Sequence, residues 1–127
     1  MTVSRFTGQV ACVTGASSGI GRAISVALAG EGAMVGLVAR REAPLRDVAS
    51  EITRAGGSAI ALSADVSDPD AAISVAERVA AAFGPVDILV AAAGQYVRAP
   101  VPDLTSDHFY RSMAVNFYGA WYVVQAD

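Results

Sequence analysis

The segment Thr14-Gly15-Ala16-Ser17-Ser18-Gly19-Ile20-Gly21 constrains this chain more than any other. It follows a short apolar run, residues 9–14, that reads as a buried strand. It opens a helical stretch over residues 19–29, with Ile20, Ile24, Ala27 and Leu28 on one expected face and Gly30 and Gly32 as stops. Glycine lets the main chain turn sharply and lets another group approach it closely. The helix that starts there offers free N–H groups and a positive dipole end to a phosphate. The spacing is Gly-x-x-x-Gly-x-Gly, not the Gly-x-Gly-x-x-Gly of the common dinucleotide fingerprint. Three glycines alone would also suit an ordinary tight turn. Their place between a strand and a helix points instead to a dinucleotide. Gly15, Ser17, Ser18, Gly19, Ile20 and Gly21 are therefore candidate cofactor-binding residues.

The rest of the chain repeats this alternation. Residues 33–39 read as a second buried strand. Pro44 suits a first helical position, and Leu45, Val48, Ala49 and Ile52 follow at helical spacing until Gly56-Gly57. Residues 58–63 make a third strand, and Asp68-Pro69 is an N-cap and first-turn pair for the next helix. Ile73, Ala76, Ala80 and Phe83 are expected on one face of that helix, which Gly84-Pro85 ends. Residues 86–92 make a fourth strand ending at Gly94, and a proline-containing loop leads to a helix from about Ser106 to the C-terminus. Phe109, Met113, Phe117 and Trp121 recur there at intervals of four, as a core or subunit-interface stripe.

Near-continuous apolar strands separated by helices predict a parallel sheet covered on both faces. With right-handed crossovers the fold class is α/β, a doubly wound Rossmann-type sheet in the order 3-2-1-4. It is incomplete at four strands, since the full fold has about six. Strand four then lies at an edge, which an apolar parallel strand tolerates poorly. All 127 residues belong to one domain, read as the N-terminal dinucleotide-binding part of it.

Composition narrows the chemistry. All nine basic residues are arginine, so a Walker A loop and a Schiff-base lysine are both excluded within the chain. The lone Cys12 sits in an apolar run and reads as a small buried hydrophobe, without disulfide or zinc partners. The single His108 belongs to a helix start, and no metal site is expected. A net charge of −3 gives no footprint for nucleic acid. No charge-free apolar stretch of about eighteen residues indicates a membrane span, and no signal-peptide core precedes the first strand. A reducing cytoplasm is the expected compartment.

The segment Thr14 to Gly21 resembles the Thr-Gly-x-x-x-Gly-Ile-Gly motif of the short-chain dehydrogenase/reductase family. The similarity runs over essentially the whole chain and covers roughly the N-terminal half of a typical member. The chain is similar to compact NADP-dependent members of the 3-oxoacyl-carrier-protein reductase type. The resemblance implies an oxidoreductase that transfers hydride between a nicotinamide cofactor and a carbonyl or alcohol substrate.

The second strand ends in Ala39-Arg40-Arg41, where an NAD site usually has a carboxylate for the ribose 2′-OH. Arginine matches a 2′-phosphate in charge and fork geometry, so NADP (NADPH) is preferred over NAD. Arg40 is the expected direct contact and Arg41 a second clamp or a surface charge; two solvated arginines are the plainer alternative. By resemblance, Asp65 accepts from the adenine amino group and the Val66 backbone helps hold the ring. The alternative for Asp65 is a helix-entry carboxylate beside Asp68.

The family's fourth strand usually ends Asn-Asn-Ala-Gly, whereas this chain has Ala91-Ala92-Ala93-Gly94. Two side-chain amides are lost, so the backbone of Ala92, Ala93 and Gly94 carries the expected cofactor contacts. Asn116 matches the helical Asn of the catalytic tetrad, where it holds a kink and orders a water; a solvent-facing polar residue is the alternative. The family's last helix of this half packs against its mate, which implies a homo-oligomer.

Family catalysis also uses a Ser, a Tyr and a Lys, the last two as Tyr-x-x-x-Lys. The lysine lowers the pKa of a tyrosine that is otherwise about 10. Four residues after Tyr96, Tyr110, Tyr118 and Tyr122 stand Pro100, Ala114, Tyr122 and Ala126. This chain alone is thus expected to be inactive, as part of a longer enzyme. Its end inside an apolar helix favours that over a non-catalytic dinucleotide-binding or interaction module complete at this length.

Overall fold

The computed structural model describes residues 4–94 and 100–126, excluding the side chains of Phe117 and Ala126. Four strands, β1 (Val10–Thr14), β2 (Met34–Ala39), β3 (Ser58–Ser63) and β4 (Ile88–Ala91), alternate with α1 (Gly19–Gly30), α2 (Glu42–Arg54) and α3 (Pro69–Phe83). A 3-10 turn (Val101–Asp103) then leads to α4 (Ser106–Met113), a π-helical segment (Ala114–Gly119) and α5 (Ala120–Ala126). The strands are all parallel, in the order β3-β2-β1-β4. The expected doubly wound order is therefore present, with β4 at an edge.

Alternation along each strand builds two cores. Ala11 and Val13 of β1 join Val35 and Leu37 of β2 against Leu45, Val48 and Ile52 of α2 and Ala29 of α1. Val10 and Cys12 join Val38 on the other face, against Ala72, Val75 and Val79 of α3 and Val123 of α5. Runs that look continuously apolar in sequence thus serve both layers. Cys12 is fully buried, as its neighbours predict.

Two helix faces differ from expectation. In α1 the buried residues are Gly21, Ser25 and Ala29, while Ile20 is 75% exposed. Small side chains let α1 lie close to the sheet, and the Ser25 hydroxyl donates to Gly21 O at 2.7 Å, so it is buried without an unmet bond. In α3 the buried face is Ala72, Val75 and Val79; Ile73 and Ala80 are exposed, and Ala76 and Phe83 are half-buried. An added Cβ at Gly36 in β2 would come 2.7 Å from Val79 Cγ2, so this glycine leaves the room that α3 occupies.

The helix ends follow local chemistry. Asp68 caps α3 by accepting from Asp70 N at 3.0 Å, with Pro69 in the first turn. Gly84, at φ +106°, ends it in a conformation other residues rarely adopt. Pro44 is the third helical residue of α2 and not the first, which its fixed φ and missing N–H still allow. His108 closes a capping box: Thr105 N donates to its Nδ1 at 3.1 Å, and His108 N donates to Thr105 Oγ1 at 3.2 Å.

The expected single helix from Ser106 is broken by the π-helical segment. Its aromatic stripe does not face the core: Phe109 and Trp121 are 61% and 56% exposed and Met113 is half-buried. The Phe117 side chain lies outside the described residues. Among the described residues no helix is long and apolar enough to cross a membrane.

Candidate cofactor site

Because the strands are parallel and in register, their C-terminal ends come out along one edge, where ligands bind in open α/β sheets. Thr14 pairs with Val38 and with Ala91, and Ala39 pairs with Ser63. A cleft of about 670 Å³ runs along this edge. It is within the range of about 300–1,000 Å³ usual for small-molecule sites.

The floor is the β1–α1 turn, lined by Gly15, Ser17, Ser18, Gly19, Ile20 and Gly21. Each glycine there has its own reason. Gly15 sits at φ +65°, and a Cβ on it would come 2.7 Å from the Ala92 carbonyl and Ala93 N. Gly19 sits at φ +57° with open space beside it, so backbone conformation alone selects it. A Cβ on Gly21 would overlap the Gly15 carbonyl oxygen, so only glycine lets α1 start this close to the turn. Ser18 is the N-cap residue of α1 and its side chain makes no capping bond, which leaves the first-turn N–H groups to other acceptors.

One wall is the end of β2. Arg40 and Arg41 border the cleft, both exposed. Among the described residues neither has a salt-bridge partner, unlike Arg5, Arg22, Arg46 and Arg111, which pair with Glu31, Glu51, Glu42 and Asp107. Next to them is the end of β3, with Asp65 and Val66. Ser67 donates to Asp65 Oδ1 from its hydroxyl at 2.6 Å and from its N–H at 3.0 Å. These bonds, the hydroxyl's first, hold the Asp65 carboxyl below its usual range; partial burial opposes them, and the Arg40 charge adds a smaller pull downward. The Val66 side chain is buried in the second core, where a Cβ on Gly119 would come 2.8 Å from its Cγ2.

The far side is the end of β4, with Ala92, Ala93 and Gly94. With alanine at 91, 92 and 93, a hydroxyl from the neighbouring strand ties the strands together here. Thr14 Oγ1 accepts from Ala93 N at 3.2 Å and reaches Val90 O at 3.5 Å. Asn116 is placed in the π-helical segment, with Nδ2 donating to Ser112 Oγ at 3.0 Å. A Cβ on Gly94 would come 3.1 Å from Asn116 Oδ1, so this exposed amide stands beside the end of β4. A widened turn of this kind recurs at functional positions in helices.

The structure therefore gathers all thirteen residues expected at a cofactor around one cleft, with Asn116 against its β4 end. The cleft has four further liners, Val38, Ala39, Ala64 and Val115. The first three owe their place to strand register and Val115 to the π-helical segment, so no local motif announces them. Among the described residues no group of three His, Cys, Asp or Glu side chains gathers as a metal site.

The same fold is found in known proteins. Residues 9–126 match the model of the short chain dehydrogenase family. The chain is 42% identical over 125 residues, 98% of its length, to an uncharacterized oxidoreductase of Methylorubrum extorquens, of which it covers 50%. It is similar to a short-chain type dehydrogenase/reductase from Mycobacterium marinum, with TM-score 0.93 and 32% identity over 99% of this chain and 52% of that one. A short chain dehydrogenase from Burkholderia cenocepacia, solved in complex with NADP, gives TM-score 0.91 and 40% identity over 96% of this chain and 50% of that one. This chain belongs to the short-chain dehydrogenase family. It spans about half the length of these relatives.

Proposed function

We propose that this chain is the NADP-binding portion of an oxidoreductase that transfers hydride between the cofactor and a carbonyl or alcohol substrate. The observation that carries the reading is the pair Arg40 and Arg41 at the cleft, without salt-bridge partners among the described residues, together with a glycine turn in which a Cβ at Gly15 or Gly21 would run into backbone. The residues fit the cofactor in kind. The α1 N-terminus with Gly15, Ser17, Ser18, Gly19, Ile20 and Gly21 would hold the pyrophosphate on backbone N–H groups. Arg40, with Arg41 beside it, would take the 2′-phosphate in preference to a bare ribose hydroxyl. Asp65 has one oxygen engaged by Ser67 and would accept from the adenine amino group with the other, while Val66 borders the ring. Ala92, Ala93 and Gly94 would pass the nicotinamide ribose on backbone and small side chains, and Asn116 would order a water near them. When bound, the nicotinamide supplies or accepts the hydride.

The tyrosine and lysine of the family's proton transfer are not supplied here, since the 127 residues include no lysine. The catalytic part of the enzyme is therefore proposed to lie outside these residues, and the chain alone to turn over no substrate. Association of copies through the last helix fits its exposed Phe109, Tyr110 and Trp121. The single buried cysteine suits a reducing cytoplasm.

The test is binding of NADPH and NADH to the wild-type chain and to Arg40→Asp. The wild type is expected to prefer NADPH. The variant should lose at least about tenfold in NADPH affinity, because it replaces a charge-assisted bond with a repulsion, and its NADH affinity should hold or rise. Equal affinities for the two cofactors in both proteins would refute the assignment.

A further inference from the structure

We infer that Ser63 is a positioning residue for cofactor choice, acting through Arg40; this rests on the reading of Arg40 as the 2′-phosphate contact. The sheet ladder between β2 and β3 ends where Ala39 pairs with Ser63, and Ala64 N donates to Ala39 O at 2.9 Å. Arg40 is the first residue after β2, just beyond that ladder. Its carbonyl is held by the Ser63 hydroxyl at 2.8 Å, a bond that reaches across 23 positions of sequence. The next fixed point is α2, whose N-cap residue is Arg41, and that cap has no side-chain hydrogen bond. The Arg40-Arg41 turn therefore hangs between a strand end and an uncapped helix start. Ser63 supplies the one side-chain hydrogen bond to its backbone among the described residues.

A hydrogen bond to a carbonyl fixes the direction of the peptide plane that follows it, and with it the base of the two arginine side chains. Long arginine side chains lose much rotamer freedom on gripping a phosphate. A backbone fixed beforehand reduces what must be ordered on binding. Ser63 is exposed, so its loss leaves the Arg40 carbonyl to water and not buried without a partner. Its effect should appear in ligand choice more than in stability.

The experiment measures binding of adenosine 2′,5′-bisphosphate and of adenosine 5′-monophosphate, two probes that differ by the 2′-phosphate. Ser63→Ala should lower the affinity ratio between them about three- to tenfold, the range of one modest hydrogen bond. Its thermal midpoint should stay near that of the wild type. Ser63→Thr keeps the hydroxyl and should restore the ratio. In an Arg40→Ala background, Ser63→Ala should change the ratio no further. If Arg40→Ala lowers the ratio and Ser63→Ala does not, the role of Ser63 is overturned and the reading of Arg40 stands. If Arg40→Ala leaves the ratio unchanged, the reading of Arg40 fails and the role of Ser63 falls with it. If Ser63→Ala folds poorly, the Ser63→Thr ratio decides: a value lowered as far as in Arg40→Ala, in a stably folded protein, overturns the inference.

Discussion

Residues 10–91 and residues 100–126 treat their apolar side chains differently. In the first region β1 and β2 are enclosed on both faces: Leu37, Leu45, Val13, Val35, Val38 and Val79 are fully buried between sheet and helices. In the second, Val101, Phe109, Tyr110, Trp121 and Val124 are mostly at the surface, and among the described residues Val123 is the one buried apolar side chain. Both regions have helical periodicity in apolar residues. The difference is that α1, α2 and α3 each meet a sheet with a fitting small residue or gap, while α4 meets the π-helical segment and α5 meets α3 and the edge of the sheet. Periodicity shows which residues share a face; it does not show that a second layer covers that face.

That contrast can be broken by mutation. Leu45→Ala removes a fully buried side chain between α2 and the sheet and should destabilise the chain by about 2–5 kcal/mol in denaturant unfolding. Trp121→Ala should stay within about 0.5 kcal/mol in the same assay, as exposed substitutions do. A Trp121→Ala loss as large as that of Leu45→Ala would show that the second region is as enclosed as the first.

Glycines sharpen the comparison at the next scale. Gly21→Ala forces a Cβ onto the Gly15 carbonyl and should cost about 1–3 kcal/mol, the range of overpacking. Gly30→Ala, at the end of the same helix with open space beside it, should be neutral or stabilising by up to about 1 kcal/mol. Equal effects at the two positions would mean that α1 can move away from the turn. The Thr105 cap is the corresponding test in the second region. Thr105→Ala should cost about 1 kcal/mol, read as lost helicity by circular dichroism.

The smallest effect is expected at Asp65. Its two bonds from Ser67 favour the ionised form, so its folded pKa lies below the ordinary value of 3.8. The stability this provides is complete above that ordinary value and is lost as pH falls through the lower folded pKa. Asp65→Asn should show a shallower fall of the thermal midpoint on acidification than the wild type. Identical slopes would show that the bonds from Ser67 do not distinguish the two protonation states.

Much of the first region is legible in sequence. The strands and their order follow from buried apolar runs, short crossovers and handedness. The cleft floor follows from three glycines at a strand–helix junction. The helix faces are less legible. In α1 and α3 alanine is so frequent that several faces look equally apolar, and the choice falls to Gly21, Ser25 and Gly36, which act by being small. Ile20 reads as core by type but sits at the cleft, because the first turn of α1 lies beyond the sheet edge. The break at Ala114–Gly119 has no proline to announce it, and the hydroxyl contacts of Thr14 and Ser63 join residues far apart in sequence.

The shared edge at which the four strands end has a thermodynamic consequence. The cleft is lined by the end of every strand, from Gly15 to Gly94, so a ligand that filled it would touch all four. No partly opened form that releases one strand can keep all of its contacts. Occupancy should therefore raise the free energy of local opening across the sheet by the full binding linkage. Amide exchange would then slow in β1, β2, β3 and β4 alike, at the edge strands as well as the enclosed ones.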